Sequence, residues 1–213
     1  MTSPIKKFNF LKYPYGDCTQ WFGENPQLYD KEFGLRGHNG IDCVRPWGEH
    51  LFAVEDGVIC DLKTDPGGYG MHIRILSEYK KGKYREWTYG HMSHINVKLG
   101  DYVKAGQYVG NIGNTGFVVS NSTGNGFWSA NPYVGTHLHL GLRYASKNPN
   151  GWQYPYDGSP KVSIDNYNNG NKGAVDPLPL FAPPKALAIA RLADTTDNAL
   201  LWKLAKVFYT INI

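Results

Sequence analysis

Hydrophobic and polar residues alternate with period two in several short runs of this chain. In MHIRI (71–75), Met71, Ile73 and Ile75 fall on one side and His72 and Arg74 on the other. In THLHLGLRYA (136–145), Thr136, Leu138, Leu140 and Leu142 oppose His137, His139, Gly141 and Arg143. Successive side chains of a strand point to opposite faces, so each run predicts a half-buried β-strand, with the leucine face turned to the core. Further strands are predicted within 50–64, 69–79, 84–92 and 102–113, with glycine-rich turn signals between them. The stretch KLGDYVKAGQYVGNIG (98–113) has two glycine-bounded turns and predicts a tight hairpin.

Two segments break this rhythm. Residues 114–135 and 144–173 are rich in Asn, Gly, Ser and aromatics, and they flank the HLH strand. Ordered loops of that length often line a site. Trp128, Tyr133, Trp152 and Tyr154 within them offer flat surfaces for stacking on peptide or sugar, or else anchor the loops. After VDPLPLFAPP the pattern changes again. Leu200, Leu204, Val207 and Ile211 recur at helical spacing, Lys203 and Lys206 lie off that line, and Asp194 or Thr196 is placed to cap the helix. The chain therefore divides into residues 1–182, one domain, and 183–213, a helical tail that packs on the domain or contacts a partner or envelope surface.

Composition narrows the class. With 213 residues, 41% of them apolar, 25 glycines and 15 tyrosines, the chain can bury one core and favours a mainly β fold. The expected architecture is a compact antiparallel β-sheet with a loop-walled groove and a short C-terminal helical tail. A net charge of +4, with Lys and Arg scattered rather than striped, excludes a nucleic-acid footprint. Cys18, Cys43 and Cys60 are odd in number and have no CxxC spacing, so neither a closed disulfide framework nor a thiolate zinc site is indicated; Cys43 and Cys60 read as small buried thiols. The N-terminal residues lack the apolar run of a signal peptide, and no stretch is long and apolar enough for a transmembrane helix.

The chemistry concentrates in two places. In GLRGHNGIDCV, His38 and Asp42 share one face of an extended segment, and Gly40 between them leaves the space open. A catalytic zinc site wants three N or O ligands and an open fourth position, which His38, Asp42 and one histidine of HLH supply. Two imidazoles and one carboxylate leave such a site with a net +1 charge, which favours ionisation of bound water. His94 competes with His91 for a place near this cluster but points to the other strand face, while His50 and His72 read as surface histidines.

The ordered set GHNGID, YGHMS, GDYVKAGQYVG, GNTG and THLHL, spanning about residues 34–144, resembles the LytM/lysostaphin-type zinc endopeptidases, which cut peptidoglycan peptides. The resemblance implies one zinc ion per chain held by His38, Asp42 and His139, with His91 and His137 as catalytic histidines that do not bind the metal. One of them takes the proton of the attacking water and the other supports the tetrahedral intermediate. It also implies that a tyrosine before the first ligand, for which Tyr29 is the candidate, stabilises the transition state. Peptidoglycan peptide is then the substrate and the bacterial cell wall the place of action, reached by a phage-type or other signal-independent release. Because neutral imidazoles are needed, activity is expected to fall below about pH 6.5. The competing expectation is a non-catalytic module of the same fold that binds peptidoglycan or activates another hydrolase.

Overall fold

The computed structural model describes residues 1–65, 67–118 and 134–211. Its strands are β1 (Cys18–Gln20), β2 (Gly40–Cys43), β3 (His50–Phe52), β4 (Gly57–Asp65), β5 (Gly70–Lys80), β6 (Lys83–Ile95), β7 (Tyr102–Val103), β8 (Tyr108–Ile112), β9 (Leu138–Trp152), β10 (Val162–Ile164) and β11 (Ala174–Val175). The helices are α1 (Pro26–Phe33), α2 (Pro184–Thr196) and α3 (Ala199–Ile211). Among the described residues the strands form one antiparallel sheet in the order β1-β2-β9-β6-β5-β4-β7, with β10 and β11 added to β9 and β8 joining β3 to β6. The fold is mainly β, with the helical C-terminal part expected from the sequence.

Period-two alternation makes this sheet two-sided. Ile59, Ile73, Ile75, Trp87, Tyr89, Leu138, Leu140 and Leu142 are buried on one face and form the core. The Tyr89 hydroxyl, buried among them, donates to Phe52 O at 3.0 Å and accepts from Val54 N at 2.9 Å, which ties β6 to the β3–β4 connection without leaving a polar atom unpaired. The opposite face carries Asp61, His72, Arg74, Glu86, Thr88, His139, Gly141 and Arg143, side by side through the β4–β5–β6–β9 register. His72 is one correction to the sequence reading. It is buried rather than exposed, because the ring of Tyr69 lies against it at 5.6 Å.

The N-terminal residues and the C-terminal helices close the apolar face together. Phe8, Phe10, Ala186, Leu187, Ala190 and Trp202 belong to the same buried cluster as the sheet leucines. Phe10 meets Tyr209 edge-on at 5.1 Å, and Tyr15 stacks on Trp202 at 5.5 Å. The tail is two helices rather than one, broken at Asp197, which takes a left-handed backbone. The cap of α3 is Asn198, whose Oδ1 accepts from Leu200 N and Leu201 N, rather than Asp194 or Thr196. Leu200, Leu204 and Val207 face outward, since the aromatic face carrying Trp202 and Tyr209 finds larger apolar partners on the domain.

Three other expectations change. The hairpin predicted over 98–113 does not form: β7 pairs with β4, and β8 with β3 and β6. The segment 144–173 is not one loop, because β9 runs on to Trp152 and gains β10 and β11 as partners. Helix α1 was not anticipated; at eight residues it is too short for apolar periodicity to mark it in sequence. No described helix is long and apolar enough to cross a membrane.

Candidate metal centre

Strands β2 and β9 are antiparallel neighbours, and their register sets Asp42 opposite His139 and Gly40 opposite Gly141. His38, just before β2, reaches the same point. His38 Nε2 lies 3.0 Å from Asp42 Oδ1 and 3.0 Å from His139 Nδ1, and the latter lies 3.1 Å from Asp42 Oδ1. Ligand atoms at tetrahedral corners with bonds of about 2.0–2.1 Å stand about 3.3 Å apart. A triangle of 3.0–3.1 Å is close to that edge, so these residues fit a tetrahedral ion of zinc's size. His38 Nδ1–H donates to Trp21 O at 3.2 Å, which fixes the ring and leaves the Nε2 lone pair facing inward. On His139 it is Nδ1 that faces the cluster, while its buried Nε2 has no partner among the described residues.

Gly40 is required by space rather than by backbone angle. A Cβ there would stand 2.7 Å from His139 Cε1 and Nε2 and 2.7 Å from Leu140 O.

Two further imidazoles border the cluster. His137 Nε2 is 3.6 Å from Asp42 Oδ2, and the His137 and His91 rings are 4.5 Å apart. His137 Nδ1–H donates to Gly135 O at 2.8 Å and His91 Nδ1–H to Thr115 O at 2.7 Å. Each backbone carbonyl holds its ring in the tautomer whose Nε2 can accept a proton. His91 also has a left-handed backbone, φ 60°, secured by its N–H to Tyr69 O at 2.7 Å.

Electrostatics keep the cluster in ligand-ready form. Burial raises the tendency of Asp42 to protonate, but the neighbouring His38, His137 and His139 rings outweigh it and hold the carboxyl well below the usual range. Burial lowers the pKa of His139, and burial with the neighbouring His137 and His139 holds His91 well below its ordinary value. Both rings are therefore neutral near pH 7.

The cluster opens into a groove of about 650 Å³. Leu28, Tyr29 and Phe33 of α1 form one wall, and Tyr69 and Phe117 line the other. Phe33 and Phe117 meet edge-on at 5.2 Å. Tyr29 sits 5.2 Å from the His38 ring and donates to Gln20 Oε1 at 3.2 Å. Burial, with the Asp42 charge nearby, pushes its phenol pKa up, so it remains a hydrogen-bond donor. Away from the cluster the groove is bordered by Arg74 and Arg143. Arg143 is gripped by the fully buried Glu86 through Nε at 2.7 Å and Nη2 at 2.8 Å, and Tyr154 donates to the same carboxylate at 2.6 Å.

The structure thus brings Asp42, His139, His91, His137 and Tyr29 to one groove, with His38 fully buried behind them against Asp42 and His139. Trp152 is not on its lining; it stacks on Tyr154 at 5.6 Å. Trp128 and Tyr133 lie outside the described residues. His94 and His50 are exposed and away from the cluster. Tyr69 is a residue that sequence reasoning missed. Its ring is 5.0 Å from His139, and its hydroxyl accepts from Asn39 Nδ2 at 2.6 Å. The glycines on either side of Tyr69, a turn signal immediately before the MHIRI strand, were the available sign.

The model of Peptidase family M23 matches residues 36–151. Lysostaphin of Staphylococcus simulans is 38% identical over 86 residues, which cover 39% of this chain and 17% of lysostaphin. The peptidoglycan DD-endopeptidase ShyA of Vibrio cholerae is 31% identical over 105 residues, covering 49% of this chain and 20% of ShyA. The matched region therefore spans a fifth or less of the length of these two relatives. Among solved structures, a catalytic-domain variant of the prophage-encoded M23 protein EnpA from Enterococcus faecalis aligns with a TM-score of 0.43 at 31% identity, covering 67% of this chain and 89% of that one.

Proposed function

This chain belongs to peptidase family M23, and on that footing we propose that it is a zinc-dependent endopeptidase that hydrolyses amide bonds in peptidoglycan peptides. The observation that carries this reading is the 3.0–3.1 Å triangle of His38 Nε2, Asp42 Oδ1 and His139 Nδ1, with two proton-accepting imidazoles beside it. ShyA, a peptidoglycan DD-endopeptidase, supports the choice of amide.

In this reading His38, Asp42 and His139 hold the zinc ion. When bound, zinc supplies a Lewis acid that polarises the scissile carbonyl and makes water acidic near neutral pH. The chain's own residues do the rest. His137 or His91 accepts the water proton at Nε2 and returns it to the leaving amine, because each ring is already held in the accepting tautomer. The protonated Tyr29 hydroxyl turns from Gln20 to donate a hydrogen bond as charge develops on the carbonyl oxygen, and the other ring adds a second donor only when it takes a proton at Nε2. The walls formed by α1 and by Tyr69 and Phe117 confine an extended peptide over the polar face of the sheet. The place of action is the bacterial cell wall.

The deciding experiment measures zinc per chain and, on the same preparation, digests purified peptidoglycans of several cross-link types with identification of new termini by mass spectrometry. Stoichiometric zinc with new amine and carboxyl termini is expected. A chain that holds no zinc and releases no termini would be a binding module instead.

A further inference from the structure

We propose that Cys18 and Cys43 are the two halves of a disulfide bond, formed when the chain meets a disulfide oxidant, that closes a ring around the segment carrying Tyr29, His38 and Asp42. The two sulfurs are 3.5 Å apart, and both residues are fully buried. They are register partners in the β1–β2 pair. The neighbouring contact, Val44 N–H to Asp17 O at 2.8 Å, supplies a ladder bond beside them, while Cys18 sends its own N–H to Leu11 O and receives the Tyr13 N–H on its carbonyl. Cys18 and Cys43 therefore face each other as a non-hydrogen-bonded pair. That is the position where antiparallel Cα atoms approach to about 4.5 Å, inside the span of about 4.4–6.8 Å that a disulfide bridges.

The third thiol does not compete. Cys60 lies in a separate buried cluster with Leu76, Tyr84 and Tyr154, and its Sγ–H donates to Arg74 O at 3.4 Å.

The oxidant is a low-molecular-weight disulfide. One cysteine, as its thiolate, attacks that disulfide, forming a mixed disulfide and releasing one thiol. The second thiolate then attacks the mixed disulfide, forming the Cys18–Cys43 bond and releasing the second thiol. Two protein thiols are oxidised and one external disulfide is reduced to two thiols. Access requires local opening of β1, a three-residue strand at one end of the sheet order whose outer side is covered by the segment 11–13. Outside the cytoplasm, where the proposed wall substrate lies, such a bond persists. The geometry does not depend on the hydrolase reading, and counting thiols tests it without any assay of cleavage.

The purified full chain is incubated with oxidised glutathione or with dithiothreitol, then denatured in iodoacetamide and mapped by mass spectrometry without reduction. After oxidation one alkylated cysteine, Cys60, is expected, together with a cross-linked pair of peptides containing Cys18 and Cys43. After dithiothreitol all three are alkylated. The oxidised form should melt higher by roughly 5–10 °C, a difference that Cys18→Ser or Cys43→Ser removes and Cys60→Ser retains. Three alkylated cysteines after oxidation, or cross-links that involve Cys60 or join two chains, would overturn the proposal.

Discussion

His38 Nε2 and His139 Nδ1 stand 3.0 Å apart although 101 positions separate them along the chain. Two imidazole nitrogens at that distance, with a carboxylate oxygen shared between them, gain most when a cation takes the place of the shared protons. His139→Ala removes one corner and leaves Asp42 buried with fewer partners. Zinc per chain after dialysis is expected to fall from near one to near zero, a loss of more than about 100-fold in affinity.

His91 and His137 lie beside the triangle rather than in it. Alanine at either position should leave zinc content near one while lowering the hydrolysis rate by about 100-fold or more. The pH profile refines this. Burial lowers the pKa of both His91 and His139, so these rings stay neutral below the ordinary imidazole range. The acid limb of the rate should therefore fall below pH ~6.5, the value expected for an unperturbed histidine. Rates from pH 4.5 to 8 check this, and a midpoint at or above that value would assign the limb to another group.

Gly40→Ala tests crowding without touching a ligand atom. The new methyl must displace either the His139 ring or the Leu140 carbonyl. Since the carbonyl belongs to the β2–β9 ladder, the ring is the part that moves. Zinc affinity should drop by about 10- to 100-fold with the fold intact by circular dichroism.

Glu86 carries stability rather than chemistry. Burial favours its protonated form, but Arg143, Arg74 and the Tyr154 hydroxyl outweigh it and lower its pKa below 4.5. A carboxyl depressed in the folded state contributes fully above its unfolded pKa, and that contribution is lost as pH falls through the folded value. Glu86→Gln should cost about 3–5 kcal/mol at pH 7, because it leaves Arg143 buried without its counter-charge. Urea unfolding of the two proteins at pH 7 and pH 3 should show the gap narrowing at the lower pH.

Much of the site was legible because strands write their faces in period two. HLH and GHNGID each placed candidate ligands on one side, and only the register of β2 against β9 was needed to bring them together. What escaped depends on contacts between distant parts. The glycine-bounded run 98–113 has local hairpin chemistry, yet Val103 and Tyr102 find partners in β4, and residues 108–112 find theirs in β3 and β6. His72 looked like a surface residue because nothing local announces that Tyr69 folds over it. The outward turn of Leu200 and Leu204 has the same origin. A helix buries whichever face meets the better surface, and Tyr15, Trp21 and Phe10 lie far away in sequence.

The Trp21 ring packs on Trp202 of α3 at 5.9 Å, and the carbonyl of Trp21 is the group that orients His38. α3 is thus only one indole removed from the proposed cradle of the ion. Shortening the chain before Trp202 would uncover that indole and loosen the acceptor behind it, so a clipped protein should starve for metal before it unravels, and added zinc should restore part of its cutting.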